Sequence, residues 1–88
     1  MFRMWCKIYK ENHLVKDTVI EDTRDTNRTR KVLDGLEECC NRFNLTPPIW
    51  LDLNVSDFKR FSYTRFNSHN FIENIDFDYL EIRMIDED

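Results

Sequence analysis

The hydrophobic period changes twice along this chain, and those changes restrict the fold class before anything else does. Phe2, Met4, Cys6 and Ile8 alternate with Arg3, Trp5, Lys7 and Tyr9. A period of two belongs to a strand with one buried face. Val32, Leu33, Leu36, Cys40 and Phe43 then recur at three- and four-residue spacing. That spacing predicts an amphipathic helix over about residues 27–43, capped by Thr26 or Asn27. From Tyr79 to Ile85 the alternation returns, with Leu80, Ile82 and Met84 on one side and Glu81 and Arg83 on the other. Strands at both ends with a helix between them predict an α+β domain. Its simplest packing is one long helix on one face of an antiparallel sheet of four to five strands.

The remaining segments fill in a ββαβ(α)β(α)β order. Glu11-Asn12-His13 reads as a turn, and Leu14 to Ile20, with Val15, Val19 and Ile20, as the second strand of a hairpin. Residues 21–25 are a charged loop. Thr46-Pro47-Pro48 stops the helix, because proline cannot continue it. Ile49 to Leu53 reads as a short third strand, Asp57 to Arg60 as one helical turn, and Phe61 to Phe66 as a weakly alternating strand. Ser68 is placed to cap a second short helix using Phe71, Ile72 and Ile75, and Asp86-Glu87-Asp88 is a solvated tail. Gly35 interrupts the long helix at a cost of roughly 1 kcal/mol relative to alanine. Close packing of the helix on the sheet is the reason expected for it.

With 88 residues the chain makes one domain, 1–88, and its 14% aromatic content suits a thin core. A single glycine excludes phosphate-cradling loops and dinucleotide fingerprints, which need several. No apolar run reaches the roughly 18–20 residues of a membrane span, and no secretory h-region is visible. Cys6, Cys39 and Cys40 are odd in number, unlike a secreted disulfide framework. These features predict a reducing, cytoplasmic location, where the three Asn-x-Ser/Thr sequons at Asn27, Asn44 and Asn54 are chance matches. The formal net charge is −4, yet residues 1–31 and 59–66 are basic while 32–58 and 67–88 are acidic. An acidic whole disfavours bulk nucleic-acid or anionic-membrane binding but leaves two local basic patches.

Few residues carry recognisable chemistry. Cys39 and Cys40 point roughly 100° apart on a helix, so they cannot bridge, and Cys40 reads as core with Cys39 at its edge. No Cys-x₂₋₄-Cys spacing joins them to Cys6, His13 or His69 as a zinc site. His13 and His69 read as surface histidines. The carboxylates Asp76, Asp78 and Glu81, and Asp52 and Asp57, read as solvated acidic faces. Arg24, Arg28, Arg30 and Lys31 gather at the start of the long helix, where cations oppose the helix dipole. They suggest an anion site, but Asp22 and Asp25 offer ordinary neutralisation, and that reading is preferred. The most suggestive stretch is 58–66, in which Phe58, Phe61, Tyr63 and Phe66 interleave with Lys59, Arg60 and Arg65.

No catalytic motif, metal spacing or cofactor loop is present, so no cofactor and no metal are expected. The expected function is a small non-enzymatic protein–protein interaction module, self-associating as a homodimer or bound to a protein partner. Trp5 and Trp50, with Tyr9, Tyr63 and Tyr79, exceed the inward positions available, and such side chains are enriched at interfaces. The alternative is single-stranded RNA binding through 58–66, using Lys59, Arg60, Tyr63 and Arg65 with help from Arg28 and Arg30. An enzyme assembled from unremarkable residues in an oligomer ranks third. No membrane partner is expected.

Overall fold

The computed structural model describes residues 1–87. Elements follow in the order β1 (Phe2–Lys10), β2 (His13–Asp22), α1 (Arg28–Arg42), α2 (Asp52–Phe61), β3 (Tyr63–Phe66) and β4 (Tyr79–Asp86). The strands form one four-stranded antiparallel sheet in the order β2-β1-β4-β3. The α+β class and the antiparallel sheet agree with the alternation in the sequence. The order and the helix content differ from expectation, because there are two helices, of 15 and 10 residues, in succession.

The hairpin is built as its residues suggest. Glu11 and Asn12 both take left-handed φ values, 52° and 65°, which match the twist of the flanking strands. The Glu11 N–H donates to Asp78 at 2.8 Å and so ties the turn to the segment entering β4. Asn27 caps α1 by accepting from the Arg30 N–H at 2.8 Å. At the other end Asn44 turns left-handed, at φ 58°, and the Leu45 N–H closes on the Cys40 carbonyl at 2.8 Å.

One face of the sheet makes the core. Phe2, Met4, Cys6 and Ile8 of β1, Leu80 and Ile82 of β4, Phe66 of β3 and Ile20 of β2 are buried against Val32, Leu36, Cys39 and Cys40 of α1 and Phe58 of α2. Gly35 lies where α1 crosses this face, and a Cβ there would come within 2.9 Å of the Met4 Cε. Close helix–sheet packing is therefore what the missing side chain permits.

Two stretches depart from the expected pattern. Ile49-Trp50-Leu51 forms no strand, and the chain is helical from Asp52, well before the single turn expected at 57–60. The cause is Asn54. Its side chain accepts from the Leu51 N–H at 3.0 Å, which satisfies a free helix donor. The same buried amide donates to Thr64 Oγ1 at 3.0 Å and to the Arg65 carbonyl at 2.9 Å, and accepts from Asn70 at 2.8 Å. This hub holds α2 on β3. The second short helix expected after Ser68 does not form. Asn67 and Asn70 instead fold residues 67–70 into a turn, and Asn70 binds both the carbonyl and the N–H of Ile49.

Candidate functional site

Neither helix covers the second face of the sheet, and the register lays out its side chains as a grid. Trp5 lies opposite Arg83, which lies opposite Tyr63. In the next row Lys7 lies opposite Glu81, and Glu81 opposite Arg65. Tyr9 pairs with Tyr79 in the third. An aromatic–cation–aromatic row thus stands beside a cation–anion–cation row.

The contacts convert this grid into a continuous strip. Lys7 Nζ lies 4.1 Å from the Trp5 ring centre and 5.8 Å from that of Tyr9, which stacks on Tyr79 at 5.2 Å. The Arg65 guanidinium covers Tyr79 at 4.6 Å, and that of Arg83 covers Tyr63 at 4.1 Å. Beyond Tyr63 the strip leaves the sheet, with Phe61 at 6.0 Å and Arg60 over Phe61 at 5.2 Å. At the opposite end the Trp5 indole N–H donates to Asp17 at 2.9 Å.

Glu81 is the centre of the strip. It contacts Lys7 at 2.9 Å, Arg65 at 3.1 Å and Arg83 at 3.4 Å. Its side chain is 3% exposed and that of Lys7 9%, although no backbone layer lies above them. The rings and guanidinium groups themselves form the roof. Burial acts to raise the Glu81 pKa, but the bonds from Lys7 and Arg65 and the charges of Lys7 and Arg83 outweigh it and hold the carboxyl below its ordinary value. The sequence pattern places Glu81 on a solvated acidic face. It is instead an internal counter-ion, and the cations around it exceed its charge by two at neutral pH.

The residues proposed from sequence are divided by the fold. Trp5, Tyr63 and Arg65 meet on the open face, and Arg60 extends their strip. Lys59 and Arg60 are not strand residues, because 58–61 is helical and Ser62, at φ 60°, breaks the segment before β3. Lys59 lines a groove of about 380 Å³ between α1 and α2, with Arg28, Val32, Leu33, Trp50, Val55 and others. Trp50 is on that helical side, edge-on to Phe58 and Phe66, and its buried indole N–H has no hydrogen-bond partner among the described residues. Arg28 pairs with Glu87 at 2.6 Å, Arg30 with Asp34 at 3.6 Å, and Arg24 with both Asp22 and Asp34. The arginines at the start of α1 thus end on carboxylates of this chain, as ordinary neutralisation requires. Lys7, Glu81 and Arg83 escape the sequence reading as a set. Their signal is nonetheless present, since alternation puts 5, 7 and 9 and 79, 81 and 83 on the faces opposite the core.

The three thiols are chemically quiet. Cys6, Cys39 and Cys40 are free and buried, with Cys39 inside the core rather than at its edge. The Cys40 thiol pulls that of Cys39 down, but Cys6 and burial push it up further, and the net shift is upward. Cys39 and burial likewise raise Cys40 far above the ordinary thiol range. Among the described residues no group of three or more His, Cys, Asp or Glu is placed to hold a metal ion, and no helix is long and apolar enough to cross a membrane. No family model, no curated protein and no solved structure matches the chain.

Proposed function

We propose that this protein is a non-enzymatic binding module whose uncovered sheet face holds single-stranded nucleic acid, RNA in the first instance. The observation that carries this reading is the strip from Arg60 to Trp5, in which cations lie on aromatic rings across three strands. A guanidinium resting on a tyrosine offers its outer plane to a base, and splayed bases stack on both groups. The same cations neutralise phosphates. Arg65 and Arg83 remain 55% and 41% exposed while bonded to Glu81, so each keeps donors free for a ligand. Asp17 and Glu21 of β2 bring negative charge to the edge of this face, opposite Lys7 and Arg3, whereas Glu73 and Asp76 lie in the loop before β4.

Fluorescence anisotropy with a labelled single-stranded RNA, its DNA equivalent and a duplex tests this directly. Three phosphate contacts, from Arg60, Arg65 and Arg83, imply a log–log salt slope of about −2 for a single strand. Tyr63→Ala and Arg65→Glu, checked for folding by circular dichroism, should each weaken binding by about tenfold or more. Undiminished affinity in the doubly substituted, folded protein would falsify the assignment.

A second reading is favoured by the other side of the molecule. Leu33 and Val55 are exposed and line the α1–α2 groove, and Leu51 and Leu53 at the start of α2 are exposed as well. Clustered apolar side chains on a helical surface mark a protein contact. This side would serve a protein–protein interaction independently of the sheet face. Loss of a bound protein on replacing Val55 with Asp is the outcome it requires.

A further inference from the structure

We infer that the α1–α2 groove is covered by a second copy of this chain, with α2 packed antiparallel on α2 about a twofold axis. The inference rests on the second reading above and names its partner. The buried side chains of α2 are Asn54 and Phe58, so the opposite side of the helix faces outward. Asp52, Val55, Ser56 and Lys59 share a stripe on that outward side, at spacings of three, four and seven. Val55 and Lys59 also form one wall of the groove, and Leu33 of α1 stands on the other.

This stripe is complementary to itself. One end is an anion, the other a cation, and the middle is a valine beside a serine. Reversing the helix about a point between Val55 and Ser56 sets Asp52 of each copy opposite Lys59 of the other. Val55 meets Ser56 at the crossing. An isologous interface needs this kind of match, because every contact is made twice. Neither Asp52 nor Lys59 has an ion-pair partner among the described residues. Pairing between copies gives each a counter-charge and removes Leu33 and Val55 from water. The sheet rows that carry Trp5, Tyr63, Arg65 and Arg83 lie on the face that neither helix covers and stay open in such a dimer.

The test is a charge-exchange series on the full chain, followed by sedimentation velocity from about 1 to 100 µM. Wild type should show a concentration-dependent dimer. Asp52→Lys and Lys59→Asp should each weaken association by about tenfold or more, because each creates two like-charge contacts. The variant carrying both changes should recover it. An equimolar mixture of the two single variants should form the heterodimer in preference to either homodimer. A double variant that stays as weak as the singles overturns the antiparallel pairing. Wild type that is monomeric throughout overturns self-association. A foreign protein then captured by wild type, but not by Val55→Asp, would leave the interaction surface standing with a different occupant.

Discussion

Replacing Glu81 with leucine isolates the energetic role of the carboxylate beneath the aromatic strip. Removing one partner of a buried ion pair costs about 3–5 kcal/mol, because the remaining charge is stranded. The three cations around Glu81 do not respond alike to its loss. Arg65 and Arg83 are 55% and 41% exposed and return to water once released. Lys7 is 9% exposed, between the rings of Trp5 and Tyr9, and cannot. One stranded cation rather than three puts the expected loss at the lower end, about 3 kcal/mol. A domain of this size has about 5–15 kcal/mol in all, so the variant should fold but with a clearly reduced margin. In urea, with a slope of about 2 kcal/mol per molar, the midpoint should fall by about 1.5 M. Adding Lys7→Met to the leucine variant should restore most of this, since no unpaired charge is then buried. A loss below about 1 kcal/mol in the single variant, or no recovery in the double, would refute the account of Glu81 as the counter-ion of a buried lysine.

The geometry implies three further outcomes. Asn54→Asp should destabilise by about 3 kcal/mol at pH 7, because a carboxylate cannot donate to Thr64 and faces the Arg65 carbonyl; urea titration should show a smaller deficit near pH 4, where the acid is protonated. Glu11→Asn with Asn12→Gly should raise stability by about 1 kcal/mol, since both positions are left-handed, and a melting temperature that does not rise would contradict the turn geometry. The native Glu81 carboxyl lies below its unfolded value, as does that of Asp22, lowered to about 2 chiefly by its bond from Arg24. Their contribution is therefore complete above the ordinary carboxylate range and is lost as the pH falls through the lowered native values. Stability measured in urea should be level from about pH 6 to 8 and decline below about pH 4, and the Lys7→Met, Glu81→Leu variant should lack part of that decline.

Local periodicity makes the hairpin, α1 and β4 legible, because each is long enough for its period to be unambiguous. It does not distinguish Ile49 to Leu53 as a strand from a run entering a helix. A short apolar run fits both, and here the decision comes from Asn54, whose partners Thr64, Arg65 and Asn70 are 10 to 16 residues away. Residues 58–66 look like one basic-aromatic segment in the sequence, yet a single left-handed residue, Ser62, divides it between a helix and a strand. Trp5, Tyr63 and Arg65 are legible as outward-facing, but what makes them neighbours is β4 lying between β1 and β3. That placement is a property of strand order, which alternation within one strand does not encode. The burial of Glu81 is illegible for the same reason, since its three cations come from β1, β3 and β4 itself.

The position of β4 also bears on how the chain acquires its shape. It lies inside the sheet, hydrogen-bonded to β1 on one side and β3 on the other, although it is the final strand in the sequence. While residues 79–86 are still within the ribosome, β1 and β2 can zip into a hairpin and α1 can coil. β3 has no neighbour to pair with until β4 emerges, and Met4, Cys6 and Ile8 cannot finish their core with Leu80 and Ile82. The emerging strand must enter a slot with a ladder to form on each side. Contacts as distant in sequence as Arg3 with Asp86 are closed at this stage, where loop entropy makes pairing slow. Until then the β1 edge is open to strands of other chains. During synthesis, the interval before residue 79 appears is thus when this molecule is most exposed to mispairing.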